Sequence, residues 1–521
     1  MLAKWKEYRI IKKSGLFDPA YYLLNNPDVR NADVDPLSHF IKQGWKEGRQ
    51  PSAIFDTNFY LQKNPDVNHS GINPLIHYLK HGKKEGRAAK QIDQIAKTEN
   101  ANLFAASFEA NNSTPIITPD RIESSKQLLD KLQQYLKYND YIISISHDTY
   151  INNIGGVQLM VSSEQSAANA HGISYLHLHP NTFKPTLVLE NGSFYISVNC
   201  DGKNIGIIDD EGLLAALKQL KPRKLMDVYI HHTMGFYLNV IYRILNEIGD
   251  VKGRFWLHDN FSICPSFYLL RNDVEYCGGP DIDSNACLIC RYGEIRRKQQ
   301  SAFKEFFSET HMEVRAPSSF TLELWKEKVL PERLSGIVVP LLELKWTGKM
   351  LPRNKKDPVR IGFVGFPVNH KGWPAWLRLM EKNANDERYK YYHLSSSYGN
   401  SDECTWINVA VSEKDRLAMV KALQNNKIDI AFLWSLCPES FSFTLHESLA
   451  AGCYLITNKN SGNIQDYLKK NPARGLVLDN EQDLFKLFSG DELISYVNTY
   501  QKNGKPQAEL IFFNEFEESE N

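Results

Sequence analysis

Charge of one sign is missing from this chain: its 521 residues contain 61 Lys and Arg and 61 Asp and Glu, a formal net charge of zero. Bulk attraction to a polyanion is thereby excluded, and no nucleic acid partner is expected. Long apolar runs are missing too. No stretch approaches the ~18 consecutive apolar residues that span a bilayer, and Met1 to Gly15 lacks the apolar centre of a secretory signal. The expected location is the cytoplasm, at most peripheral to the inner membrane face. Cysteine is scarce at eight residues, too few and too unevenly placed for a disulfide framework, which fits a reducing compartment. With 42% hydrophobic residues the chain can nonetheless bury real cores, and its length implies about three domains.

A duplication opens the sequence. Phe17-Asp18-Pro19, Tyr22-Leu23 and Asn26-Pro27-Asp28-Val29 return 38 residues later as Phe55-Asp56, Tyr60-Leu61 and Asn64-Pro65-Asp66-Val67. The same offset carries Asp35-Pro36-Leu37, His39, Gly44 and Glu47-Gly48-Arg49 onto Asn73-Pro74-Leu75, His77, Gly82 and Glu85-Gly86-Arg87. Each copy reads as a helix from Pro19, a Pro-containing turn, and a second helix from Pro36 ended by glycine. Two helices bury little alone, so the copies are expected to stack into one helical module over residues 1–90. That module has fifteen Lys and Arg against nine Asp and Glu. The excess is either a solvated face or a contact surface for a membrane or protein partner. An Ala-, Asn-, Ser- and Thr-rich stretch without periodicity follows, giving a linker over 91–135.

Beyond it, buried-strand runs alternate with amphipathic helices in two series, the second starting after the Pro- and Lys-rich segment Leu351 to Asp357. Alternation of this kind makes parallel sheets wrapped by helices. The expected fold class is α/β: two Rossmann-like doubly wound domains, 136–345 and 346–510, facing a ligand cleft, preceded by the small all-α module. Residues 511–521, with acidic Glu515 to Glu520, read as a disordered tail.

Chemistry concentrates in Cys437 to Gly452, where polar residues leave a strand and enter a helix. A helix N-terminus offers free N–H groups and the positive end of a dipole, so Ser442, Phe443, Thr444 and Leu445 make a seat for a diphosphate. Glu439 just before the helix and Glu447 about one turn inside it can accept hydrogen bonds from vicinal hydroxyls. A second strand breaks into a loop at Gly362 to Trp373, where Lys371 is a point charge for phosphate. Gly155-Gly156, between the first strand of the first series and its helix, lets backbone approach a ligand closely. His258-Asp259 closes a strand of the first series, and His231-His232 ends the preceding one. Cys264, Cys277, Cys287 and Cys290 follow within one loop. They read as a structural zinc site, free thiols or disulfides, shaping the cleft wall.

The E-x7-E run of Glu439 and Glu447, followed by Ala450-Ala451-Gly452, resembles the retaining glycosyltransferases of family 4, of GT-B fold, over about residues 140–505. The resemblance implies that Glu439 contacts the transferred sugar and Glu447 the ribose of a nucleoside diphosphate sugar donor. It implies that Gly155 and Gly156 line the cleft and that His258 contacts the donor sugar. Lys371, with His370 beside it, would clamp the diphosphate, although Phe366 stands where the family usually has an arginine. No cofactor is required in that chemistry. The repeats resemble those attached to bacterial polysaccharide glycosyltransferases, implying a glycan or lipid-linked acceptor and a part in capsule or O-antigen synthesis. Two other readings stay open: a non-catalytic glycan-binding or scaffold protein on the same fold, and a sugar-nucleotide epimerase or phosphorylase.

Overall fold

The computed structural model describes residues 2–89 and 122–516, apart from 33, 53, 54, 84, 86, 88, 152, 154, 183, 190–193, 250, 252, 274, 330–335, 400, 402, 413 and 515. Most of the linker, Asn152 and Ile154 of the glycine loop, and the acidic end 517–521 thus lie outside the described residues. The chain forms two compact units, Met1–Ser113 with Ile263–Ser301, and Thr114–Ser262 with Ala302–Asn521.

In the first unit the duplicated residues make duplicated contacts. The Tyr22 hydroxyl meets His39 Nδ1 at 2.9 Å, and the Tyr60 hydroxyl meets His77 Nδ1 at 3.0 Å. Arg49 donates to Asn26 and Asp28, as Arg87 does to Asn64 and Asp66. Tyr22, Phe40, Phe55, Tyr60 and Leu75 share one buried core. The second helix of each copy finishes in a π-type turn whose last residue is Gly44 or Gly82, as the sequence implied. The role of these glycines is clearance: a Cβ would lie 1.9 Å from the Tyr22 hydroxyl oxygen at Gly44 and 2.0 Å from that of Tyr60 at Gly82.

Residues 263–301, expected in the first Rossmann-like domain, belong to this helical unit instead. Ile289 packs on the repeat core, and Arg271 donates to the Gly15 carbonyl at 3.3 Å. Their cysteines are free thiols. Cys277 Sγ donates to the Leu269 carbonyl, and the Arg296 guanidinium donates to Cys287 Sγ at 2.6 Å. Burial raises the pKa of Cys264, Cys277 and Cys290. Among the described residues no group of three or more His, Cys, Asp or Glu is arranged to hold a metal.

The second unit holds two sheets. The first has the strand order Gly336–Val338, Glu313–Ala316, Arg254–Trp256, Lys224–Ile230, Asp140–Ile145, Ser174–Pro180, Tyr195–Cys200, Lys203–Asp209. Its last two strands run antiparallel, which corrects the all-parallel expectation. Asp201 at φ +44° and Gly202 at φ +82° leave only a hairpin between them. The second sheet is parallel throughout, ordered Thr405–Asn408, Tyr389–Ser395, Val359–Val364, Ile430–Phe432, Tyr454–Asn458, Gly475–Leu478. Numbered within itself this order is 3-2-1-4-5-6, which places a ligand crevice where the winding reverses, between Val359–Val364 and Ile430–Phe432.

Two further expectations are corrected here. The linker's end is the helix Ser125–Tyr135, started by a Ser124/Gln127 capping box and held by fully buried Leu128 and Leu132. The tail's beginning is strand: Lys505–Phe512 pairs antiparallel with Leu342–Leu351, and Phe513 N–H donates to the Leu341 carbonyl.

Among the ties of this ribbon to the second sheet is one carboxylate that meets both of its sides. Asp429 Oδ1 receives Arg353 Nε at 3.0 Å and Lys505 Nζ at 2.8 Å, all three side chains being 5–6% exposed. Removing the acid strands two buried cations, which costs about 3–5 kcal/mol. Asp429→Ala should therefore lower the unfolding midpoint in urea by that amount. A loss under about 1 kcal/mol would show that the joint is not fastened there.

Candidate functional site

A cavity of ≈ 890 Å³ opens along the carboxyl ends of both sheets in the second unit. Its walls follow from strand ends. Gly155 and Gly156 begin the helix Gly156–Ala170 after the strand Asp140–Ile145, and both line the cavity. A Cβ on Gly156 would make an ordinary 3.5 Å contact with the Phe443 ring. Opposite them, Val364-Gly365 and Leu433 to Ser435 come from the two strands at the winding reversal. The ribbon supplies Leu341, Leu510 and Phe512.

The helix Phe443–Ala450 points its N-terminus at this space. Ser442 is the N-cap, its Oγ accepting from Leu445 N–H at 3.1 Å, while Ser442 N–H donates to Asn463 Oδ1. The anion seat is thus narrower than the sequence implied. Leu445 is fully buried in the core and its N–H is used. The N–H groups of Phe443 and Thr444 keep no protein acceptor among the described residues. Two adjacent donors at the positive end of a helix suit one phosphate.

Glu447 lies on the cavity wall, 5% exposed, without a hydrogen-bond partner among the described residues. Burial alone pushes its pKa up from 4.5 to about 7. A carboxylate in that state awaits donors. Glu439 is already engaged: its Oε1 accepts from Lys371 Nζ at 2.5 Å and from Ser435 Oγ at 3.0 Å. A parallel bridge to Gly462 fixes its backbone. Lys371 reaches it because the turn Asn369–Lys371 closes on Gly372 at φ +86°, where a Cβ would strike the Trp434 carbonyl oxygen at 2.1 Å. Sequence reading gave these two side chains different targets. The structure brings them together.

His370 and His258 are placed otherwise. The His370 carbonyl accepts from Leu436 N–H at 2.8 Å and from Ser435 Oγ, and burial lowers its imidazole pKa to about 4. It ties two loops and is not among the residues lining the cavity. His258 also lies outside the lining, stacked between Trp256 and His231. Burial drives its pKa well down, so it is neutral. Its carbonyl receives the Ser440 hydroxyl, beside Glu439. His232 binds Asp259 at 2.9 Å.

Two lining groups escaped sequence reading. Arg416 donates to Ser163 Oγ and lies over the Phe512 ring at 4.4 Å. Glu164 carried a signal: it falls on the apolar stripe of its helix with Val157, Met160, Val161 and Ala168, where a carboxylate is out of place. The lining's charged residues are thus Glu164, Glu439, Glu447, Lys371 and Arg416. Three carboxylates and two cations among serines and aromatic rings suit a polyhydroxylated anion.

The architecture is of the GT-B type, two Rossmann-like halves around a cavity. No protein-family model matches the chain, and no curated protein matches it significantly. Among solved structures it is similar to sucrose-phosphate synthase from Thermosynechococcus elongatus, at 12% identity and TM-score 0.44 over 70% of this chain and 93% of that one. It is similar to WaaG, a glycosyltransferase involved in lipopolysaccharide biosynthesis, at 11% identity and TM-score 0.40 over 69% and 94%. Anabaena HepE in complex with UDP-glucose matches at 10% identity and TM-score 0.38 over 70% and 94%. At such values the site stands on its own geometry.

The raised pKa of Glu447 has a stability consequence. Its folded value near 7 exceeds the ordinary 4.5, so its contribution is intact below pH 4.5 and is lost as pH rises through 7. Glu447→Gln, neutral throughout, should leave the melting temperature unchanged near pH 4 and raise it by several degrees at pH 8. The gain reaches at most roughly 3 kcal/mol. A variant less stable at pH 8 would contradict the assigned environment.

Proposed function

We propose that this protein transfers a sugar from a nucleoside diphosphate sugar to a hydroxyl of a glycan or glycolipid acceptor, with retention at the anomeric carbon. The carrying observation is Glu447, a buried carboxylate without a hydrogen-bond partner among the described residues, one turn from a helix N-terminus with two N–H groups open among those residues. A ribose diol beside a diphosphate presents matching donors and charge. In this reading Phe443 and Thr444 hold the diphosphate and Glu447 the ribose. Glu439 takes hydroxyls of the transferred sugar. Lys371, paired with Glu439 in the free protein, lies within reach of both the sugar and the leaving phosphate.

Chemistry then runs on one face of the sugar. The bond from the anomeric carbon to the diphosphate oxygen breaks, and the acceptor oxygen bonds to that carbon. The acceptor's proton passes to the departing diphosphate. Lys371 and the helix N-terminus stabilise the growing negative charge, so rate comes from charges already in place. The histidine network would hold the loop bearing Ser440 and Glu439. The helical repeats, basic by composition, would bring the enzyme to a membrane or protein partner at the cytoplasmic face during assembly of a bacterial surface polysaccharide. That role rests on the resemblance of the repeats.

Phe366 favours a second reading, a donor-binding protein without turnover. It is 56% exposed and lines the cavity where the resemblance calls for an arginine. A screen of UDP-, GDP- and dTDP-linked sugars separates the two. The enzyme reading expects one donor to bind and to be slowly hydrolysed, with Glu439→Gln cutting turnover about 100-fold. Binding without any turnover supports the second reading, and no binding at all sinks both.

A further inference from the structure

Glu164 is a buried acid that the proposed reaction leaves unused. It is 4% exposed, lines the cavity, and keeps Oε1 without a hydrogen-bond partner among the described residues. Its other oxygen is firmly held. Oε2 accepts from the Tyr175 hydroxyl at 2.8 Å and contacts His231 Nε2 at 2.8 Å. Tyr175 keeps its proton because burial, and then Glu164 itself, raise its pKa well above the ordinary value. His231 is backed in turn by His258, whose Nε2 lies 3.1 Å from His231 Nδ1. A phenol and an imidazole therefore fix one oxygen of this carboxyl, while its twin stays buried and without a partner among the described residues.

An orphaned buried carboxyl oxygen is costly to keep, more so on the apolar stripe of a helix. The other two cavity acids, Glu439 and Glu447, lie on the second Rossmann-like half, whereas Glu164 lies on the first. We infer that Glu164 Oε1 is a third hydroxyl-binding group of the cavity, receiving a sugar hydroxyl from the wall opposite the nucleotide seat. This rests on the sugar-transfer reading for its ligand class. Tyr175 and His231 are positioning residues: they set which oxygen faces the ligand and in what direction.

The test uses the full chain and two variants. Glu164→Gln keeps shape and still offers Oε1 to Tyr175 and His231, but turns an NH2 donor toward the cavity. Glu164→Asp keeps the acid and withdraws it by one methylene. Calorimetry measures UDP, GDP and dTDP against their hexose conjugates, and saturation-transfer NMR measures methyl α- and β-hexopyranosides without nucleotide. Expected is a loss of about tenfold in one sugar-bearing arm, with affinity for the bare nucleoside diphosphate within about twofold. Loss with the hexose conjugate identifies the donor sugar as the source of the hydroxyl, and loss with the methyl glycoside identifies the acceptor. Unchanged affinities with a lowered melting temperature would overturn the inference, since that is the mark of a structural residue. If wild type binds methyl hexosides through Glu164 but no nucleotide, the transferase reading fails while the inference stands.

Discussion

Both passages of the chain between the two Rossmann-like halves depend on one buried carboxylate. Asp429 sits at the foot of a central strand of the second sheet and grips Arg353 on the outgoing passage and Lys505 on the returning one. The two passages pair as an antiparallel ribbon, and the ribbon's ends supply Leu341, Leu510 and Phe512 to the cavity wall. A strand-end acid outside the cavity lining thus helps to set where one wall of the site stands. Burying three charges is expensive unless each is paired. Here two cations share one carboxylate, and the Lys427 and Ile428 carbonyls and the Asn498 side chain accept their remaining protons.

The cavity follows the opposite rule. Its polar groups are held in place without being satisfied: the Phe443 and Thr444 N–H groups, the Glu447 carboxyl and one oxygen of Glu164. Each is a polar group that a ligand can satisfy. Lys371 and Glu439 are the exception, neutralising one another in the free state. A bound diphosphate sugar would give both a stronger partner. Their pairing keeps a cation and an anion at the reacting point without leaving either bare.

Much of this was legible in the sequence because it is local. The strand Val359–Val364, the helix from Phe443 and the E-x7-E spacing depend on periodicity and capping within a few residues, and they stand where sequence reading put them. Features set by distant partners were not legible. The helix Ser125–Tyr135 was lost in a polar stretch, although its capping box was readable. Residues 263–301 were assigned by order along the chain, whereas Ile289 and Arg271 find their partners in the repeats. His370 and His258 fall next to the right motifs in sequence, yet neither lines the cavity. Side-chain direction is a tertiary property. Glu164 shows the converse, because an acid on an apolar stripe marks a buried function before any fold is known.

The central claim is that the helix N-terminus and Glu447 together receive a nucleoside diphosphate. A crystal structure of the full chain with the nucleoside diphosphate of its bound donor tests this most directly. The account predicts a phosphate oxygen about 3 Å from both the Phe443 and Thr444 nitrogens, the ribose diol on Glu447, and Lys371 turned from Glu439 toward phosphate. A nucleotide bound elsewhere, with Glu447 still unpartnered and the Lys371–Glu439 pair intact, would contradict it.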